Sequence, residues 1–146
     1  MPQTGQRNDP YRGYNFEVQI DSSTVAGFRE VSGLGFTTDP VEYREGTDVP
    51  LHVRKLTGLR KFDNLMLKRG FTQNAELWQW YKNTLNGIED RRNGAIVLHD
   101  ELHNAVARWN FEGAWITKWE GPSLNATSND VAIEGITLAV ERVELE

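Results

Sequence analysis

The chain has 146 residues, with 16 basic and 21 acidic side chains, a formal net charge of −5 and no cysteine. One compact domain fits that length, and a hydrophobic fraction of 38% is too large for a disordered chain. The missing thiols exclude a disulfide framework, a thiolate zinc site, an iron–sulfur cluster and a cysteine nucleophile, and the negative balance argues against a dedicated nucleic-acid binder.

Residues 1–13 carry two prolines and two glycines without periodicity, which predicts a flexible arm ahead of a single domain at 14–146. No apolar run approaches the ~20 residues that span a bilayer, and the polar start lacks the apolar core of a signal peptide. The expectation is a chain made in the cytosol, with no membrane insertion of its own. Tyr14, Phe16, Val18 and Ile20 alternate with polar residues, so they predict a half-buried strand. Residues 26–36, AGFREVSGLGF, predict short strands with a turn or bulge. VEYREG at 41–46 ends another strand, and EGTDVP at 45–50 is a loop. HVRKL (52–56) and NLMLKR (64–69) are strand candidates on either side of a turn at Gly58.

Leu77, Trp80, Tyr81, Thr84 and Leu85 recur at helical spacing and predict a helix over about 74–86. Thr72 or Asn74 would cap its start, and Gly87 follows its end. Trp78 and Trp80 diverge by ~200° on a helix, so only one of them can face inward. GAIVLHD (94–100) and AVARWNF (105–111) predict a hairpin. AWITKWEG (114–121) sets Trp115 and Trp119 at alternating positions of one face. In the last segment the apolar phase runs through Val131 and Ile133, then switches to Ile136, Leu138 and Val140, which predicts a bulge near Gly135. One helix and roughly seven or eight strands indicate an all-β sandwich or barrel with a helix beside it.

Two motifs invite a functional reading. His99 and His103 stand at i, i+4, but the glutamate is one place late for a zinc-protease motif and the segment reads as a turn. Gly33-Leu34-Gly35-Phe36 spells a carboxylate-binding loop, yet Asp39-Pro40 follows where a peptide-accepting strand should pair. The remaining carboxylates are scattered, and no common catalytic constellation is present. Charge is more informative. Arg54-Lys55, Arg60-Lys61 and Lys68-Arg69 fall within 16 residues that hold one acid, Asp63, whereas from Glu112 onward there are seven acids and two bases. Opposite patches on one chain permit a head-to-tail contact that closes a ring or grows a filament. The same basic cluster at 54–69 could alternatively contact the phosphates of DNA.

Several stretches carry a family resemblance: AGFREVSGL (26–34), VEYREG (41–46), VRKLTGLRKFDNLMLKRG (53–70), ELWQWY (76–81), RRNGAIVLHD (91–100) and residues 107–141. From about Tyr14 onward the chain resembles the tail-tube proteins of contractile injection machines. These include T-even-type phage tubes, R-type pyocin tubes and the inner-tube proteins of extracellular injection systems of the antifeeding prophage and Photorhabdus virulence cassette types. It departs from them at residues 1–13 and in TDVPLH (47–52). The resemblance implies a mainly β fold, a small β-barrel of two packed antiparallel sheets with one flanking helix, like that of hemolysin-coregulated protein. It implies hexameric rings stacked into a rigid tube, surrounded by a sheath, bounded by a baseplate and a terminator or cap, and carrying luminal cargo, either effector protein or phage DNA. Such a particle is assembled in the bacterial cytoplasm. No enzymatic activity, catalytic residue, metal or cofactor is implied. By analogy the loop from Glu42 to Leu59 reaches the next ring, which nominates Glu42, Arg44, Glu45, Arg54, Lys55, Leu56, Arg60 and Lys61. Glu134, Glu141 and Glu144 are the nominated acidic partner surface.

Overall fold

The computed structural model describes residues 9–21, 23–25, 28–71 and 76–146. The elements run β1 (Phe16–Ile20), β2 (Ser23–Val25), β3 (Phe28–Ser32), β4 (Phe36–Tyr43), β5 (Arg54–Phe62), β6 (Leu65–Gly70), α1 (Glu76–Leu85), β7 (Arg92–His99), β8 (Ala105–Glu120), β9 (Ile133–Ala139) and β10 (Arg142–Leu145). All ladders are antiparallel. The main sheet follows the order β2-β1-β7-β8-β9-β6-β3, with β10 also on β8, and β4-β5 form a separate two-stranded sheet.

One long strand organises the molecule. The first part of β8 pairs with β7, from Ala105 to Ala114, and its end pairs with β9, from Trp115 to Glu120. On the edge away from β7, β10 continues the line of β9 along Trp109–Glu112. The two halves of β8 therefore belong to two sheets that share one strand. The ends of the sheet path, Val25 in β2 and Phe28 in β3, are three peptide steps apart, which the chain can span by at most ~11 Å. The sheet must therefore curl round upon itself, which gives the barrel-like shape.

Inside lie Val18, Ile20 and Ile96 from one half and Leu65, Leu67, Ile116, Ile136 and Leu138 from the other, with Phe111 and Ala114 at the junction. The alternation of β1 sets Val18 and Ile20 inward as the sequence predicts. Helix α1 adds Leu77 and Trp80 to this core. The Trp80 indole N–H donates to the Asp90 carbonyl at 2.7 Å, so the large ring is buried with its polar atom paired. Trp78 stays 44% exposed, as the divergence of the pair requires. Leu85, expected on the apolar face, is exposed instead. The predicted caps Thr72 and Asn74 lie outside the described residues.

Four local expectations are corrected. Gly58 is no turn: β5 runs straight through it. A Cβ there would stand 2.6 Å from the Asp39 carbonyl oxygen, and the β4-β5 register shifts between Thr38 and Pro40. Gly58 thus accepts the bulge that Pro40, which has no N–H to donate, imposes on its neighbour. The segments 105–111 and 114–121 are one strand, kinked at Gly113, whose φ of 64° is open to glycine at little cost. Trp115 and Trp119 do not share a face. A register shift between Ile116 and Lys118 pairs Trp115 with Ala139 but Trp119 with core-facing Ile136, and Trp119 meets Trp78 and Tyr81 of the helix. Finally, β9 is regular through Gly135. The apolar phase only seems to switch there, because the inward position before Ile136 is held by a charged residue, Glu134.

Candidate assembly surfaces

The β4-β5 hairpin stands apart from the barrel sheet. Cross-strand pairs share a face, so Val41 joins Leu56 and Tyr43 joins Arg54, while Glu42 lies opposite Lys55 and Thr37 opposite Lys61. Val41, Tyr43 and Leu56 are each about half exposed, and Leu59 is more so. A two-stranded hairpin alone in water is marginally stable at best. Its apolar residues form a patch of the kind that marks an interaction surface.

At the hairpin tip a single carboxylate organises the loop. The Asp48 side chain accepts the Glu45 backbone N–H at 3.0 Å and pairs with the Arg54 guanidinium. The Arg44 guanidinium donates to the carbonyls of Asp48 at 2.9 Å and Pro50 at 3.2 Å. The Tyr43 hydroxyl donates to the Glu45 carboxylate at 3.1 Å. Arg44, Glu45 and Arg54, nominated as contacts, are thus also internal ties. Lys55, Arg60 and Lys61 project from β5 without an ion-pair partner among the described residues.

The acidic set divides. Glu134 is 2% exposed and pairs with Arg69, itself 3% exposed, directly across the β6-β9 ladder. It is therefore a core residue and no part of an outer surface. A charge survives there because its partner is buried with it, and Phe28 stacks near the Arg69 guanidinium. Glu141 and Glu144 do face outward, bridged to Arg91 at 3.0 Å and Arg142 at 3.2 Å. The basic cluster is broken in the same way: Lys68 is exposed but Arg69 is buried, so 54–69 is no continuous basic stripe.

The outer face of the β1-β7-β8-β10 half is polar. Gln19, Asp21, Asn93, Arg108, Asn110 and Glu112 line a shallow groove on it. The two histidines do not converge. His99 ends β7 with its Nε2 atom 3.3 Å from Glu17. His103 is exposed in the β7-β8 turn at φ 61°, where Asp100 Oδ1 accepts the N–H groups of Leu102 and Asn104. Burial of Glu134 was hidden in the sequence, where its place in the alternation with Ile136 and Leu138 was the only available signal. Val49 and Leu51, the most exposed apolar residues of the tip, lie in a turn-rich segment without periodicity and so carry no burial signal in the sequence.

Comparison with solved structures places this geometry. A chain of the PVC sheath-tube complex of an extracellular contractile injection system, in its extended state, is 31% identical over 94% of this chain and 91% of that one, with a TM-score of 0.81. A chain of the anti-feeding prophage cap is 29% identical over 99% and 95%, with a TM-score of 0.85. Hcp1 from Flavobacterium johnsoniae, at 12% identity and a TM-score of 0.55, shares the fold alone. Comparison with curated proteins found no match. The family model for the T4-like virus tail tube protein gp19 matches residues 12–144. That span takes in every strand from β1 to the body of β10, and the chain belongs to this family of structural tail tube proteins.

Proposed function

We propose that this chain is the protomer of a rigid inner tube that assembles as stacked hexameric rings and forms a channel for cargo. A sheath surrounds the tube, and a baseplate and a cap bound it. The observation that carries this reading is the hairpin: a two-stranded sheet whose apolar side chains are half exposed or more, with no other described element laid over them. Ring-to-ring contact would cover them. Lys55 and Arg60, on one face of the hairpin with Glu42, and Lys61, on the other with Leu56, then meet acids of the next ring on both sides of the hairpin, with Arg44, Glu45 and Arg54 holding the tip in shape. Glu141 and Glu144 are the outward acids that can receive them. Relatives of this fold come from sheath-tube, baseplate and cap or terminator assemblies, which supports those partners. Assembly in the bacterial cytoplasm, before the particle acts outside, follows from the same reading.

Electron microscopy of the purified protein tests it. Rings or tubes are expected, and reversing Lys55, Arg60 and Lys61 to glutamate should shorten tubes while leaving rings. A monomer at high concentration, with or without sheath and baseplate proteins, would overturn the proposal.

A further inference from the structure

The sequence holds two Asn-Gly pairs, Asn86-Gly87 and Asn93-Gly94. Asparagine is a thermolabile residue, and a following glycine has no side chain to shield its amide nitrogen from the asparagine side chain. Local chemistry is the same at both pairs, whereas their places in the fold differ.

Asn86 and Gly87 close helix α1. The Ile88 N–H donates to the Asn83 carbonyl at 2.9 Å and the Gly87 N–H to the Thr84 carbonyl at 3.1 Å, with Gly87 at φ 79°. That is a Schellman closure. Residues 85–89 are all exposed. Helix ends fray, and opening this one leaves the core in place, because the buried helix residues Leu77 and Trp80 lie in earlier turns. Asn93 is held from several sides. Its carbonyl accepts the Asp21 N–H at 2.9 Å and its Oδ1 atom accepts the Gly113 N–H at 3.0 Å. Gly94 lies between Ile20 of β1 and Phe111 of β8. A Cβ at Gly94 would stand 2.2 Å from the Gln19 carbonyl oxygen, so the backbones are close-packed there. Turning the Gly94 nitrogen toward the Asn93 side chain requires β7 to part from both neighbours.

We infer that Asn86 is a site of spontaneous deamidation and that the strand ladder protects Asn93. When the helix end opens, the Gly87 amide nitrogen gives its proton to a base in solvent and attacks Asn86 Cγ. An N–C bond forms, the Cγ–Nδ2 bond breaks, and ammonia leaves with a proton from water. Water then opens the succinimide ring. Cleavage at Cγ gives aspartate, and cleavage at the main-chain carbonyl gives isoaspartate. Either product makes the chain one unit more negative than −5, with the new carboxylate at the negative end of the helix dipole. In isoaspartate the main chain gains a methylene, so the closing bonds lose their register.

Peptide mass analysis of the full-length chain, aged folded at mildly alkaline pH, tests this. The peptide carrying residue 86 should exchange an amide for an acid and split into two isomers. The same chain aged in guanidinium chloride supplies the intrinsic rates. The ratio of the rate at residue 86 to that at residue 93 should be at least ~10-fold higher in the folded chain, because frayed ends open at far lower free energy than core strands. An unchanged ratio would overturn the inference, as would an Asn86 that stays intact in the folded chain while the unfolded sample converts. Neither result bears on the tube reading.

Discussion

Replacing Glu134 by alanine tests whether this acid serves the core or an outer surface. The substitution strips a carboxylate from a guanidinium that is 3% exposed. Breaking a buried pair from one side costs ~3–5 kcal/mol, because the remaining charge stays desolvated. For a domain of this size each kcal/mol shifts the thermal midpoint by ~2–4 °C, so a fall of roughly 6–20 °C is expected. Replacing both members, Arg69→Met with Glu134→Leu, removes the charges together and should recover most of the loss. Tryptophan fluorescence at one fixed protein concentration measures both, the free-energy losses by urea unfolding and the midpoints by a temperature scan. A loss below ~1 kcal/mol in the single variant, with a defect confined to assembly, would refute the reasoning and return Glu134 to the contact surface.

Gly58→Val forces a side chain into the space 2.6 Å from the Asp39 carbonyl oxygen, so the hairpin must distort at its bulge. Because the hairpin is a separate sheet, the barrel should behave as after a surface change, within ~0.5 kcal/mol. Sedimentation velocity should nevertheless show loss of assembly; a fall in thermal midpoint of more than about 5 °C, well beyond that allowance at ~2–4 °C per kcal/mol, would place Gly58 in the barrel's folding unit. The third prediction concerns pH. The Arg92 guanidinium, joined by the Asn83 amide, holds the Asp90 carboxyl below its ordinary value of 3.8. A depressed folded value means that this stabilisation is complete above the unfolded value and is lost as pH falls through the folded one. The stability gap between the parent chain and Asp90→Asn should therefore be present at pH 6 and fade below about pH 4, and a gap constant down to pH 2 would sink the assignment. Its size should stay within ~1 kcal/mol, since the carboxylate remains partly solvated.

The split of Arg69 from Lys68, and of Glu134 from Glu141 and Glu144, shows where charge patterning stops being informative. Counting acids and bases along a chain treats each as solvated. A strand with period two sends alternate residues to opposite sides, so adjacent Lys68 and Arg69 part company at once. Gly58 illustrates the same limit for turns. A glycine between two strand-like runs reads as a turn, but the reason for glycine lies across the sheet, in Asp39 and Pro40. The phase of Trp119 depended on a bulge at Thr117, and no local preference marks that residue as one that would leave the ladder.

What the sequence determined was the set of elements and their chemistry. Alternation in β1, the helical spacing of Leu77 and Trp80, and the divergence of Trp78 from Trp80 are local geometry, fixed by 2.0 and 3.6 residue periods. The ordered stretches from Tyr14 onward carried the family resemblance, which the match over residues 12–144 made good. What only the tertiary structure decided was which charges are surface and which are core, and how the exposed apolar residues are distributed. Burial depends on which strand lies opposite, and antiparallel pairing brings together Arg69 and Glu134, 65 residues apart. The strand pairing also leaves the hairpin as a separate sheet outside the barrel, with Val49 and Leu51 exposed at its tip.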